Sequence, residues 1–215
     1  MLVKTSGGKS PELSRSQRRR RDDIIQAALK IFDRDGFEAA KMADIAEEAE
    51  VAKGTLYLYF DTKVDLLEGV VAHAIMPTLQ QIGSVAEANS GTARERLAQQ
   101  VRLAALRMAS PEMKTLLRHM ISTAPKNQRI ARYYYDNVVL KGLEHFKTTL
   151  DYGVETGEFR PEARQIDPLV LVGASVYTSV WNILFSEIAP VDAEKLAEDL
   201  LEVLLGGLLT DRTAS

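Results

Sequence analysis

Cysteine is absent from the 215 residues, which excludes disulfide frameworks, thiolate zinc sites, iron–sulfur clusters and cysteine nucleophiles together. That fits a reducing cytoplasm. Histidine is scarce: His73, His119 and His145 stand far apart, each suited to a surface or a satisfied core position. No Glu-x-x-His pair serves a di-iron site and no Gly-x-Ser-x-Gly nucleophile turn occurs. An enzyme is therefore the weaker class of function, and no metal or cofactor is expected. Glycine (13) and proline (7) are few and stand mostly where helices should stop. The opening MLVKTSGGKSPELS lacks the apolar run of a secretory signal, so export is not expected. Gly8-Lys9-Ser10 resembles the end of a phosphate-binding loop but has Val3 where that loop needs a glycine.

What is present describes a folded protein. Hydrophobic residues make up 46% and charged residues 27% of the chain, the balance of a soluble globule. The net charge of −3 is unevenly spread. Residues 1–21 carry Lys4, Lys9, Arg15, Arg18, Arg19, Arg20 and Arg21 against Glu12 alone, a basic end on an acidic body and a place where phosphates could meet positive potential. Pro168 to Ser186 is uncharged and long enough for a membrane span. Its Ser175, Thr178, Ser179, Asn182 and Gly173 favour instead a helix buried on most sides or at a subunit interface, with no membrane partner.

Apolar spacing and caps predict an all-α chain of about nine helices, with no strand signal and no internal repeat. Residues 1–14 read as a disordered basic tail. Ser14 with Gln17 starts the first helix, which carries Ile24, Ile25, Ala28, Leu29 and Phe32 until Gly36 supplies a left-handed stop. Ala43 to Ala49 and Lys53 to Phe60 form two short helices that must share a core with the first, since neither is long enough to stand alone. Thr62 with Asp65 caps a long fourth helix, a connecting lever that Pro77 should kink. Five more helices are predicted at roughly 92–109, 111–123, 126–155, 167–187 and 192–209, with starts at Thr92/Glu95, Ser110-Pro111, Pro125, Asp167-Pro168 and Asp192. The domains predicted are a helix-turn-helix head at 15–61 and a helical body at 62–215.

Two short helices joined by Glu50-Val51-Ala52 make a helix-turn-helix, whose second member would read DNA. It opens with Lys53, Gly54 and Thr55: a cation, a bare backbone and a hydroxyl. Tyr57 and Tyr59 can place phenols on phosphates, although core packing suits Tyr57 equally and suits Phe60 better. Lys63 would face the same way if the helices cross as expected. Arg20 and Arg21, with Arg18 and Arg19, oppose the dipole of the first helix, which invites an external anion.

The run GFEAAKMADIAEEAEVAKGTLYLYFDTKVDLL strongly resembles the tetracycline-repressor (TetR) family of bacterial transcription regulators. The resemblance rests on Gly36-Phe37, Ile45-Ala46, Ala49 to Tyr57, Tyr59-Phe60, Lys63 and Leu66-Leu67, about the first third of the chain. It implies a dimeric repressor on a near-palindromic operator of double-stranded DNA, released by a small-molecule effector. Three positions depart from the family pattern: Glu50 stands for glycine, Ala52 for serine and Lys41 for serine or threonine. Glu50 in a left-handed turn costs about 1–2 kcal/mol, and Ala52 forfeits a cap worth ~1 kcal/mol. Lys41 would replace a neutral phosphate contact with a charged one.

For the body, Val170, Val176, Val180, Ile183 and Leu184, with Leu196, Leu200, Leu204 and Leu208 at helical spacing, offer more apolar surface than one bundle needs. They are the expected homodimer face. The effector candidates are Met108, Met113, Leu117, Met120, Tyr134, Tyr135, Phe146, Tyr177, Trp181 and Phe185, with His119 and Asn182 as polar anchors. Core packing competes for each, and the set suits an apolar or aromatic ligand. An interaction adaptor that never binds DNA is the remaining alternative.

Overall fold

A computed structural model describes residues 13–209, which form ten α-helices: α1 Arg15–Ala39, α2 Met42–Glu48, α3 Lys53–Tyr59, α4 Lys63–Ala86, α5 Ala93–Ala109, α6 Pro111–Thr123, α7 Gln128–Tyr134, α8 Leu140–Glu155, α9 Leu169–Phe185 and α10 Ala193–Leu208. The only extended pairing among them is an isolated bridge between Phe159 and Leu209. The tail expected at 1–14 lies outside the described residues up to residue 12. The chain divides into two compact units, residues 13–74 with 118–134, and residues 75–117 with 135–209. The first thus extends beyond the 15–61 span expected for the head.

In the first unit, Ser14 accepts from the Gln17 amide while Gln17 accepts from the Ser14 amide, so the first helix begins where the capping box predicts. It breaks at Gly36, as expected, but not in the left-handed helical region: φ 79° and ψ 158° lie in a region open almost only to glycine. The turn throws Phe37 back onto Phe32, ring centroids 5.4 Å apart. Ile24, Ile25, Phe32, Ile45, Leu56, Leu66 and Leu67 are buried, so α2 and α3 are held by a core they could not form alone. Thr62 and Asp65 cap α4 reciprocally, and Arg129 of α7 bonds both Asp65 and Glu68. Burial opposes charging Asp65, but hydrogen bonds from Thr62 and Arg129 outweigh it and hold the carboxyl below its usual range.

In the second unit α9 and α10 pack chiefly on α5, around Leu97, Val101, Phe146, Leu150, Phe159 and Leu171. Thr92 and Glu95 form the expected capping box on α5, and the carboxylate of Glu158, 65 residues on, accepts from the Ala93 and Arg94 amides. Buried Arg96 closes the other end of the turn: it donates to the Ala86 carbonyl at the end of α4 and lies 3.7 Å from the centroid of Tyr152. Gly153 is required by close approach, because an added Cβ would stand 2.1 Å from the Phe159 ring.

Helix α4 runs on through Pro77 to Ala86. Two expectations are corrected. The helix predicted over 126–155 is instead a 3-10 turn at Ala124–Lys126, α7, a π-helical turn at Tyr135–Val139, and α8. Leu208 of the α10 stripe, expected at a homodimer face, is buried in the unit's own core, against which Leu200 and Leu204 are half-buried. The uncharged stretch expected to be buried or interfacial is α9, and no helix among the described residues is long and apolar enough to cross a membrane.

Candidate nucleic-acid interface

The turn between α2 and α3 is a left-handed helix end built without glycine. Val51 N–H donates to Ala46 O at 2.9 Å and Glu50 N–H to Glu47 O at 3.0 Å, the paired bonds that close such an end. Glu50 sits at φ 52°, the sole non-glycine residue with positive φ among those described. The strain read from the sequence is therefore present. Ala52 takes the N-cap position of α3 with no side-chain bond, as expected from the missing hydroxyl.

Seven residues make α3, and one row of them faces inward: Leu56 is fully buried, and Phe60, at the helix end, nearly so. The remaining residues form an outward arc. Lys53 and Gly54 are exposed, Tyr57 is 41% exposed, and Thr55 and Tyr59 are half-buried. Leu58, at 56% exposure, belongs to the same arc and was missed by a search for polar and charged side chains. Lys41, capping α2, is exposed beside this pair of helices. Gly54 is not demanded by the fold: an added Cβ would meet nothing within 4 Å, and its φ is ordinary. A glycine inside a helix costs about 1 kcal/mol against alanine, and no contact within the unit requires one here. Arg18, Arg19 and Arg20 are exposed along the start of α1.

Two cations expected in this surface are engaged within the unit. The Lys63 ammonium donates to the Glu38 and Ala40 carbonyls at 2.8 and 3.0 Å and lies 4.7 Å from the Phe37 centroid. It closes the carbonyls left open where α1 ends. The Arg21 guanidinium stacks 5.3 Å from the Phe60 centroid. In both cases the aliphatic stem lets the cation fold back onto an aromatic ring.

The effector candidates are divided between the two units. In the first unit, His119 and Met120 are buried. His119 meets Phe32 edge-on at 6.0 Å, and its Nε2 has no hydrogen-bond partner among the described residues. Burial, helped by Arg118, lowers the His119 pKa, while burial pushes Tyr134 up to about 12. In the second unit, Met113, Leu117 and Phe146 are buried, and Met108 lends its carbonyl to Ser179. Tyr135 is exposed. Tyr177, Trp181 and Phe185 form a row along α9, centroids 6.1 and 5.0 Å apart. Tyr177 and Phe185 are exposed, the Trp181 indole donates to the Ala189 carbonyl, and Asn182 is half-buried. They share the outer side of α9 with Val170, Val176 and Leu184, of which Val170 is 63% and Leu184 61% exposed; Val180 and Ile183 are half-buried. A separate open groove of about 520 Å³, lined by Arg94, Ala98, Glu198, Leu201, Glu202 and Leu205 among others, contains none of the expected pocket residues.

Comparison with known proteins bears on both units. Residues 24–70 match the model for bacterial regulatory proteins of the tetR family, and residues 87–204 match the tetracyclin repressor-like C-terminal domain. The chain is 26% identical over 199 residues to the uncharacterized HTH-type transcriptional regulator YfiR of Bacillus subtilis, covering 88% of this chain and 92% of that one. Over 54 residues it is 52% identical to the HTH-type transcriptional repressor KstR of Mycolicibacterium smegmatis, 25% of this chain and 26% of that one. Its fold is similar to that of the transcriptional regulator FadR from Bacillus subtilis, solved in complex with stearoyl-CoA. The TM-score is 0.72 at 23% identity, covering 86% of this chain and 98% of that one.

Proposed function

Since the chain belongs to the tetR family of bacterial regulatory proteins and is a DNA-binding transcriptional regulator, we propose that it works as a cytoplasmic homodimeric repressor released by a small apolar or aromatic effector. The observation that carries the DNA-binding reading is α3 itself. It buries one row, Leu56 and Phe60, and turns Lys53, Gly54, Thr55, Tyr57 and Tyr59 outward. In this reading Lys53, Lys41 and Arg20 neutralise phosphates, Thr55 and the tyrosine hydroxyls bond phosphate oxygens, and Gly54 lets the backbone approach. Lys63 and Arg21 support the surface from within.

The outward apolar side of α9 supports the dimer. With twofold symmetry the two recognition helices meet major grooves about 34 Å apart, on a near-palindromic site. The buried methionines and phenylalanines suit an apolar effector, and the acyl chain of the stearoyl-CoA held by FadR belongs to that class. An effector need only favour one dimer arrangement by a few kcal/mol to release DNA.

The test is selection of genomic fragments by the purified protein at near-physiological salt, with Lys53→Ala, Tyr57→Ala as control. We expect one or a few near-palindromic sites, lost in the double variant. Lys53→Ala alone should reduce the slope of log affinity against log salt by about 1 per protomer. Equal recovery of all fragments, or sites unaffected by the double variant, would overturn the reading.

A further inference from the structure

Leu58 is a large apolar side chain left exposed on α3. Successive helical residues are rotated by about 100°, so with Leu56 pointing into the core, Gly54 and Leu58 each stand roughly 160° away, the farthest-projecting positions of α3. Their surroundings agree: Gly54 is exposed with nothing within 4 Å of an added Cβ, and Leu58, four residues on and on the same face, is 56% exposed. Lys53 and Tyr57 form the row on one flank, Thr55 and Tyr59 the row on the other. The polar groups of α3 therefore lie at its sides, and the middle of its outward arc carries no hydrogen-bonding side chain at all.

That arrangement decides what the middle can read. Three of the four bases present only hydrogen-bond donors and acceptors in the major groove; thymine adds an apolar group, its C5 methyl. A leucine left unpaired against a purely polar base edge would strip that edge of water and return nothing. Against a thymine methyl, both surfaces leave water together. Glycine one turn earlier allows the helix to settle close enough for this contact.

We propose that Leu58 is a specificity-determining residue, selecting thymine methyl groups in the major groove of each operator half-site through apolar contact. The proposal rests on α3 being the DNA-reading helix. It places the flanking Lys53, Thr55, Tyr57 and Tyr59 as backbone anchors and the Gly54–Leu58 face as the sequence reader.

Deoxyuridine provides the test, because it keeps every hydrogen-bonding group of thymidine and lacks only the methyl. Operators are first selected by the full-length protein from a random duplex library containing thymidine. The selected duplexes are then remade with deoxyuridine throughout, and at single thymine positions, and binding is measured for the wild type, Leu58→Ala and Leu58→Met. The wild type should lose about fourfold in affinity for each contacted methyl, the worth of one buried methyl-sized group, at one or two positions per half-site. Leu58→Ala should bind the thymidine duplex more weakly and show no further loss on deoxyuridine. Leu58→Met should retain part of the sensitivity. Because Leu58 is exposed, Leu58→Ala should unfold at the wild-type temperature, which separates lost contact from lost fold. Equal wild-type affinity for the two kinds of duplex, or Leu58→Ala as sensitive to deoxyuridine as the wild type, would overturn this proposal alone. Failure to select any duplex would overturn the DNA-reading role of α3 and this proposal with it.

Discussion

Helices α3 and α9 each bury one side and expose the other, and the exposed sides could hardly differ more. Helix α3 shows a cation, phenols, a glycine and a single leucine; α9 shows Leu169, Val170, Val176, Tyr177, Leu184 and Phe185 without one charge. The first surface is built for a hydrated polyanion, where Coulomb attraction does most of the binding and salt weakens it. The second gains only by leaving water, so it suits an apolar surface such as its own copy. Burial alone would rank the two helices alike, and it is the chemistry of the exposed side that tells their partners apart.

The comparison can be broken most decisively at α9. Val170→Glu with Leu184→Glu places two charges on exposed positions, so circular dichroism should show an intact fold while sedimentation shows monomers. Operator affinity should then fall by about 10²–10⁴-fold, the loss that follows when two linked sites bind separately. A dimer that survives both charges would remove α9 from the interface. A smaller and sharper effect is expected at Gly54. Gly54→Ala fills open space on a helix, so thermal unfolding should report a gain of about 0.5–1 kcal/mol while operator binding weakens. Unchanged binding would mean that nothing approaches the backbone there. The smallest effect belongs to the turn before α3. Glu50→Gly removes the left-handed strain at φ 52°, worth about 1–2 kcal/mol, and returns part of it as unfolded-chain entropy. A net rise of about 0.5–1 kcal/mol in denaturant unfolding is expected, with the operator sequence preference unchanged.

Much of this was legible in the sequence, for identifiable reasons. Capping boxes at Ser14, Thr62 and Thr92 announce helix starts because the partner residues sit three apart in the chain. The strain at Glu50 was readable from the family resemblance, which puts glycine at that place in the turn. The π-helical turn at Tyr135–Val139 was not, since no residue type marks one extra backbone step. Periodicity shows that α10 has an apolar stripe but not which neighbour each leucine meets, so Leu208 reads as part of a partner face although its own core buries it. The contacts of Lys63 and Arg21 within the unit were not legible for another reason. A long side chain can reach back to carbonyls or a ring, and spacing along a helix fixes where its Cα lies but not where its charge ends.

The clamp formed by Arg129 on Asp65 and Glu68 also has a consequence in time. Synthesis proceeds from the N-terminus at about 5–20 residues per second, so residues 118–134 leave the ribosome seconds after α1, α2 and α3 are complete. Until they arrive, the newborn first unit lacks the segment that supplies buried His119, Met120, Thr123 and Ile130. The surface destined for DNA is thus finished first on the outside and last on the inside, and a nascent chain halted before residue 118 should present its α3 arc on an unfinished core.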